Sequence, residues 1–403
     1  MAFFRNDTVN LLNLHYGIHA LALSGGGTFF AVYLLRAGVP APAALTALTL
    51  ILAGRFVIRP FVLVPARRFG LKPLVIAGTV MTGLQYPLLA EVRGVGWELF
   101  ALCAISSVGD TLYWTCYHAY FASLGDADHR GHQLGVREAL AAIVGIVGPL
   151  ATGWTLTTLG PRTAFDATAV VLLLAALPIL GTRNVPVADA APGAFRAAVP
   201  GMLMFLADGW IVAGFYFVWQ IALFLALGES FTAYGGAMAL AALVGAVAGL
   251  LLGRYIDAGR GGHAAWLAAG SLVVVISFRA ASCTDPVLAV AANAAGALVP
   301  ALYVPTLMTA VYNQAKGSPC ALRFHIAAEG GWDAGAASGC MIVAALLWAG
   351  APIWLGILLS LPGAAASFSL LRRYYGETRA RKEQKERRKL LVRQEADCCP
   401  TLN

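Results

Sequence analysis

Long apolar stretches recur along almost the whole chain of 403 residues. A helix that crosses the hydrocarbon core of a membrane needs ~20 mostly apolar residues, and twelve stretches of the chain are predicted to do so. The alternation typical of a transmembrane β-barrel is absent from them, so only helices can satisfy the backbone in lipid. The sequence therefore predicts an all-α integral membrane protein with twelve transmembrane helices. The predicted spans lie at about 11–35, 41–64, 73–92, 95–123, 134–159, 163–181, 199–227, 231–252, 264–278, 286–312, 324–348 and 351–371.

Composition also places most of this apolar surface in lipid. Hydrophobic residues make up 59% of the chain and charged residues only 12%, whereas soluble domains carry roughly 25% charged residues. The seven cysteines show no spacing typical of a metal cluster or a disulfide framework. No phosphate-binding loop of the Gly-x4-Gly-Lys-Ser/Thr type occurs in the sequence. We therefore expect no cofactor and no metal.

Basic residues indicate which side of the membrane each loop occupies. The predicted outside loops contain only Arg36, Arg93, Arg162 and Arg279, and most other Lys and Arg residues fall in segments on the opposite side. By the positive-inside rule both termini are then cytoplasmic, as in a multi-pass protein of the plasma (cell inner) membrane. The net charge of +8 reflects this orientation and attraction to anionic lipids, with no indication of nucleic-acid binding. We expect a monomer.

A polar segment divides the chain into two parts of similar organisation. Residues 182–198, TRNVPVADAAPGAFRAA, are predicted to be a cytoplasmic linker between one six-helix bundle at 1–181 and another at 199–371. Residues 372–403 are predicted to be a basic cytoplasmic tail that lies over anionic lipids. Two halves with the same number of spans are typical of membrane proteins built from repeats. The sequence therefore predicts two pseudo-symmetric six-helix bundles.

Each half carries a basic, glycine-containing loop after its second span. The first loop contains ARRFGLKP, which resembles the latter part of a loop motif of the major facilitator superfamily, a family of secondary transporters. Arg67 stands where that motif has an aspartate. The second loop keeps a glycine and an aspartate at the motif's spacing. The matching residues are Arg68, Gly70 and Lys72 in the first loop and Gly253 and Asp257 in the second.

A further match lies in the predicted fifth span, where GIVGPLATG is similar to a Gly-Pro-x-x-Gly-Gly motif of antiporters in that family. Gly148, Pro149 and Gly153 match this motif, and Thr152 departs from it. The resemblance implies that spans 1, 4, 7 and 10 surround a central cavity. It also implies that spans 2 and 11, and spans 5 and 8, meet between the halves. The span-four arginine of drug–proton antiporters is not evident, and Asp110 lies in that span instead.

Ionisable groups inside the spans are candidate functional residues, because a charge at the bilayer centre costs roughly 3 kcal/mol or more. At 100° per residue, Asp110, Tyr113, Trp114 and Tyr117 share one face of the fourth span. This face is predicted to line the cavity and to bind a solute or a proton. The alternative is that the rings only pack and that Asp110 bonds to a neighbouring helix.

Polar residues in the first and seventh spans are further candidates for solute or proton binding. His15 and His19 are one helical turn apart and could relay protons, hydrogen-bond to other helices or bind a metal, although no third ligand is evident. In the seventh span Asp208 precedes Tyr216 and Trp219. Asp208 could equally hold a packed helix pair together. Acidic and aromatic groups around a cavity favour a cationic solute.

Opposite charges occur at matching depths in the second and eleventh spans. At ~1.5 Å per residue, Arg59 and Glu329 lie about 8 Å from the cytoplasmic end of their spans, and Arg55 and Asp333 about 13 Å. The family fold places these spans side by side, so the sequence predicts ion pairs between the halves. Such pairs could form a gate that opens and closes, or a permanent structural bridge. A second predicted gate pair is Glu138 with Arg254, where spans five and eight meet the cytoplasm.

Together these features predict a secondary active transporter that moves a small solute by alternating access. The favoured form is proton-coupled export of a cationic or amphipathic compound, with the proton as coupling ion. The alternative is a proton symporter that imports a polar solute such as a sugar or another metabolite. A third reading, from a different class, is a transporter-like membrane sensor or scaffold, or an intramembrane enzyme; we do not expect an enzyme.

Overall fold

The computed structural model describes the backbone of residues 7–124, 130–256 and 261–398, and their side chains except at 122, 130–141, 250–256, 261–264, 381–383 and 385–398. Within these residues the chain forms twelve long helices. They are α1 Asp7–Arg36, α2 Ala41–Phe69, α3 Leu71–Glu91, α4 Trp97–Leu124, α5 Arg130–Thr158, α6 Pro161–Leu180, α7 Ala194–Ala226, α8 Phe231–Ile256, α9 Gly261–Ser282, α10 Pro286–Lys316, α11 Ala321–Trp348 and α12, which comprises Ile353–Leu358 and Ser360–Cys398.

The predicted all-α membrane fold with twelve helices is confirmed. Eleven of the described helices are long and apolar enough to cross a membrane, and α5 contributes the apolar segment Ala142–Thr158. Several helices extend beyond their predicted bounds, and two of these differences change the predicted division of the chain. α7 begins at Ala194, inside the predicted linker, and the helix Ser360–Cys398 includes residues 372–398 of the predicted basic tail.

Glycines allow α7 and α11 to make the largest helix contact in the described fold. A Cβ atom on Gly331 would collide with the backbone of Met202, and one on Gly335 would collide with the backbone of Leu206. Small residues at this spacing let two helix backbones approach closely, which is how helices associate in lipid. This packing fixes the rotation of α11 and therefore the direction of its acidic side chains.

The Gly-Pro motif of α5 lies in the contact between the halves. A Cβ atom on Gly153 would meet the carbonyl of Phe231 at the start of α8, and one on Gly235 of α8 would meet the carbonyl of Pro149. Helices α5 and α8 therefore pack through small residues from both halves. The predicted contacts of α5 with α8 and of α2 with α11 are both present.

The first and seventh helices each contain a π-helical turn, Leu23–Gly27 in α1 and Ala213–Val218 in α7. In α1 the turn is pressed against α5, because a Cβ atom on Gly148 would overlap Ser24 and the backbone of Gly25. π-Helical turns are rare and occur frequently at functional sites. In this protein each π-helical turn lies in the first helix of one half of the chain.

The loop between α2 and α3 is held by the segment that joins the two halves. Gly70 has φ +80° and lies against Asn184, whose amide nitrogen donates to the Phe69 carbonyl at 2.7 Å. Lys72 Nζ donates to the carbonyls of Leu180 and Thr182 at 2.7 and 2.8 Å. The motif residues Gly70 and Lys72 therefore fasten the linker to the first half.

Asp189 of the linker contacts both halves of the molecule. Arg67, which replaces the motif's aspartate, pairs with the Asp189 carboxylate at 2.8 Å, and Arg323 at the start of α11 donates to the Asp189 carbonyl at 2.8 Å. Arg68 instead lies over the ring of Phe69, 5.2 Å from its centroid. The charge reversal at position 67 is thus matched by an acidic linker residue.

Candidate functional site

Arg59 of α2 is the centre of an ion-pair network between the halves. Its guanidinium is fully buried and binds the carboxylates of Glu329 and Asp333 on α11. Its Nη1 also donates to Thr115 Oγ1 of α4 at 2.6 Å. Burial of a charge is tolerated only when it is paired and hydrogen-bonded. The network therefore joins α2 and α4 to α11 by strong, specific contacts.

Arg55, one turn before Arg59, extends the network to a third carboxylate. Its Nη2 lies 2.9 Å from Asp333 Oδ1, and its Nη1 lies 3.7 Å from Asp110 Oδ2 of α4. The guanidinium also faces the Trp332 ring, 5.4 Å from its centroid. Asp333 thus pairs with both arginines. Matching the charges by their depth in the membrane predicted only Arg55 as its partner.

The network has an unequal number of opposite charges. It contains two arginines and three carboxylates, Asp110, Glu329 and Asp333. If all five were ionised, one negative charge would be left uncompensated in a membrane-embedded site, which is costly. A proton or a cationic group can supply the missing positive charge.

A cavity of about 260 Å³ lies beside the network, lined by α1, α2, α3, α4 and α7. Its walls contain both charged groups, Arg55 and Asp110, and the rings of Trp114 and Tyr216. The sequence predicted three of these four as solute-binding residues and placed Arg55 in the gate. The sequence predicted an acidic lining. The structure differs from this prediction, because Arg55 lines the cavity beside Asp110.

Glutamines contribute the neutral polar part of the cavity wall, and the sequence reasoning did not include them in the site. Gln220 of α7 is 4% exposed, and its Nε2 forms no hydrogen bond of normal geometry with a described residue, although the amide lies near the Tyr216 hydroxyl. Gln85 of α3 accepts from Ser106 Oγ at 2.7 Å. An amide residue inside an otherwise apolar span is the sequence signal that could have identified both residues.

Several residues predicted to bind the solute or a proton lie outside this cavity lining. Tyr113 and Tyr117 of α4 are fully buried and stack on each other. His15 contacts the Ala175 carbonyl through Nδ1 at 2.7 Å and the Tyr113 hydroxyl through Nε2 at 3.0 Å. The His19 ring stacks on Tyr113 with centroids 4.0 Å apart. These groups hold α1, α4 and α6 together.

The predicted residues of α7 divide between the cavity and the helix contacts. Asp208 accepts a hydrogen bond from Trp332 Nε1 at 3.0 Å, which links it to α11. Trp219 is buried and donates to Asn293 Oδ1 of α10 at 3.0 Å. Only Tyr216 of the three predicted residues contributes to the described cavity wall.

Arg279 is a buried residue that sequence reasoning placed in an outside loop. The structure corrects this, since Arg279 lies in the last turn of α9 and is only 5% exposed. Its Nη1 donates to the Phe215 carbonyl in the π-helical turn of α7, and its guanidinium faces the rings of Phe215 and Trp219. The predicted ninth span was too short because it ended at the first charged side chain.

Aromatic rings from both halves meet near the Phe30 side of the cavity. Phe29 of α1 packs edge-on against Phe231 and Tyr234 of α8, with ring centroids 6.0 and 5.3 Å apart. The Tyr234 hydroxyl donates to the Thr28 carbonyl at 3.3 Å across the same contact. The halves are thus joined by ions on one side of the cavity and by rings on another.

Four predicted residues fall wholly or partly outside the description. The side chains of Glu138 and Arg254, the second predicted gate pair, are not described. Gly253 lies in α8, with its surroundings undescribed, and Asp257 lies outside the described residues.

A family model supports the class of protein that this fold indicates. The model described as Major Facilitator Superfamily matches residues 14–319. The chain therefore belongs to the Major Facilitator Superfamily and is a secondary transporter, as the sequence motifs predicted. No curated protein matches the chain.

Solved transporters share the overall fold at low sequence identity. A structure titled as an auto-inhibited POT family peptide transporter aligns with TM-score 0.69 and 11% identity, covering 92% of this chain and 96% of that one. A POT family transporter in complex with a thioalcohol-conjugated peptide aligns with TM-score 0.69 and 10% identity, over 90% and 95% of the two chains. A POT family transporter in complex with 5-aminolevulinic acid aligns with TM-score 0.67 and 9% identity, over 90% and 94%.

Proposed function

We propose that this transporter couples proton movement to the passage of a small polar solute by alternating access around the cavity. The observation that supports it most is the buried network of Arg55 and Arg59 with three carboxylates. The network joins α2 of one half to α11 of the other beside the cavity. Separation of these helices would open that side of the cavity, and their contact would close it.

Glu329 is the carboxylate best suited to release the network when it takes up a proton. Its Oε2 binds Arg59, whereas its Oε1 has no hydrogen-bond partner among the described residues. A proton on Glu329 removes its attraction for Arg59 and favours the state in which α2 and α11 separate. The shift follows from the different proton affinity of the two states, as linkage requires.

Two imidazoles lie on the side of the network that leads to Glu329. His325 lies one turn before it on α11, and the ring of His118 on α4 stacks on His325 with centroids 5.8 Å apart. Tyr312 of α10 approaches His118 Nδ1 at 3.5 Å. The ring nitrogens of His325 form no hydrogen bond with described residues, so a proton that reaches Glu329 Oε1 by this route requires a change of the His325 ring orientation or a water between the groups.

The aromatic contact of Phe29 with Phe231 and Tyr234 serves as the second gate. It depends on apolar packing and on one hydrogen bond to a carbonyl, so protonation leaves it unchanged. A proton that weakens the ionic contact therefore shifts the balance between the two gates in one direction.

Proton cotransport of a polar solute is favoured over exchange of a cation by the presence of Arg55 in the cavity wall. A solute without net charge leaves the surplus negative charge in place, so a proton binds together with it. The surplus charge itself supports the second candidate, proton-coupled export of a cationic or amphipathic compound, because a monocation would replace the proton.

Proteoliposomes that contain a pH-sensitive dye test this proposal. A panel of amines, sugars, amino acids and organic acids is added outside, and internal pH is recorded. At least one solute is expected to drive protons in its own direction, and empty liposomes are expected to give no signal. Protons that move against the solute would identify exchange. Absence of solute-dependent proton flux for every panel member in folded protein would contradict proton coupling.

A further inference from the structure

The chemistry of the cavity wall identifies a class of solute. We infer that the transported solute is amphoteric, a small organic molecule with an ammonium group, a carboxylate group and an apolar part. This inference rests on the proposed transport function, since it assigns the cavity to the solute. It differs from the cationic solute that the sequence alone favoured.

Unsatisfied donors mark the position of the solute's carboxylate. Arg55 Nε and Gln220 Nε2 are buried, and neither forms a hydrogen bond of normal geometry to a described residue, although the Gln220 amide lies close enough to the Tyr216 hydroxyl for a weak contact. Both side chains line the cavity. Buried donors are almost always paired in folded proteins, and a carboxylate is an acceptor-only group that matches two donors. The solute's carboxylate is therefore assigned to these donors, which small side-chain movements would turn toward the cavity.

Asp110 marks the position of the solute's ammonium group. Within the described residues its carboxylate has only distant partners, Thr82 Oγ1 at 3.4 Å and Arg55 Nη1 at 3.7 Å. Each distance leaves room for a stronger donor to displace the weak contact. The rings of Trp114 and Tyr216 line the same cavity and can face a cation.

The rest of the wall limits the size and polarity of the solute. Leu48, Ile51 and Leu52 of α2 and Phe30 of α1 line the cavity with apolar surface. The cavity volume is about 260 Å³, which is slightly below the usual range for ligand pockets. A compact molecule with a short apolar or aromatic part therefore fits better than an extended one.

An amphoteric solute also explains the charge count of the network. It brings no net charge, so the three carboxylates and two arginines still lack one positive charge when it binds. A proton on the network then balances the loaded state. Solute and proton are carried together for this reason.

Matched sets of three compounds test the solute class in purified full-length protein. Each set contains an amphoteric compound, its amine without the carboxylate and its acid without the amine, such as phenylalanine, phenethylamine and 3-phenylpropionate. Thermal stability in detergent is measured at equal concentrations. In at least one set the amphoteric compound is expected to raise the melting temperature with roughly tenfold or higher affinity than both counterparts, since each charge-assisted contact contributes about that factor. If no amphoteric compound exceeds both of its counterparts, the inference is wrong.

Two substitutions separate the two ends of the site. Asp110→Asn is expected to remove the advantage of the amphoteric compound over the acid, and Gln220→Met to reduce its advantage over the amine. Asp166→Asn, at an exposed position on α6, is the matched control and is expected to change neither. Unaltered preferences in both site variants would overturn the assignment.

Equilibrium binding keeps this test separate from the transport proposal. If amphoteric compounds bind with the expected preference but drive no proton flux, the solute class stands and the proposed coupling fails. If proton flux occurs with a solute that carries only one type of charge, the coupling stands and the solute class fails.

Discussion

Replacement of Arg59 with glutamine is expected to abolish solute-dependent proton flux and to lower the thermal stability of the purified protein substantially. The substitution leaves Glu329 and Asp333 buried without the cation that binds both of them. Loss of one partner of a buried ion pair costs ~3–5 kcal/mol. The melting temperature in detergent and the proton flux in proteoliposomes measure the two effects.

Two further variants distinguish the network from a general effect of charge removal. Arg162→Gln removes an arginine whose side chain is 81% exposed, and it is expected to leave both measurements near the native values. Arg59→Gln combined with Glu329→Gln removes one cation and one anion, and part of the lost stability is expected to return without transport. A single Arg59→Gln protein with native stability and native flux would rule out the proposed role.

Glu329→Gln is expected to abolish accumulation driven by a pH gradient while solute exchange between the two sides continues. Glutamine mimics the protonated carboxyl group, so the contact with Arg59 is weakened and no longer responds to protons. Uptake against a solute gradient therefore falls to the level of protein-free liposomes. Counterflow of labelled solute between preloaded liposomes and the medium measures the exchange that persists.

Asp333→Asn provides an informative contrast, because Asp333 binds both Arg55 and Arg59. It is expected to impair accumulation and exchange together, as a structural loss in the gate would. Glu91→Gln removes a half-exposed carboxylate at the end of α3 and serves as the control. If Glu329→Gln retained native accumulation under a pH gradient, Glu329 would not be the coupling carboxylate.

The sequence was sufficient to predict which helices meet and which charges they bring. Opposite signs at equal depth in the second and eleventh spans, together with the family resemblance, placed Arg59 beside Glu329. The sequence was not sufficient to predict that Asp333 pairs with both Arg55 and Arg59, or that Asp110 pairs with Arg55. Those contacts depend on how far each helix is rotated, which is set by close packing such as that of the α11 glycines.

Helix rotation also explains why the aromatic face of α4 could not be assigned from sequence. Tyr113 and Trp114 differ by 100° around the helix, and only Trp114 lines the cavity. Tyr113 is instead covered by His15 and His19 of α1. The helix face predicted from periodicity includes both the residue that lines the cavity and the residue that packs against α1. Only the position of α1 shows which residue has which role.

The π-helical turn in α7 limits the prediction in another way. It inserts a local change of periodicity at Ala213–Val218, so positions before and after the turn no longer follow one helical wheel. Gln220 lines the cavity, whereas its neighbour Trp219 faces α10. Neither a regular hydrophobic pattern nor spacing from Asp208 predicts this division.

The separation of α2 from α11 is the central claim, and a distance measurement between spin labels tests it most directly. One label is placed at Val64 of α2, which is 71% exposed, and the other at the native Cys320 just before α11, with the other cysteines replaced. At neutral pH without solute we expect one short distance. With solute at acidic pH, and in the Glu329→Gln variant, we expect a second, longer distance to appear. A single unchanged distance under all of these conditions would contradict the account.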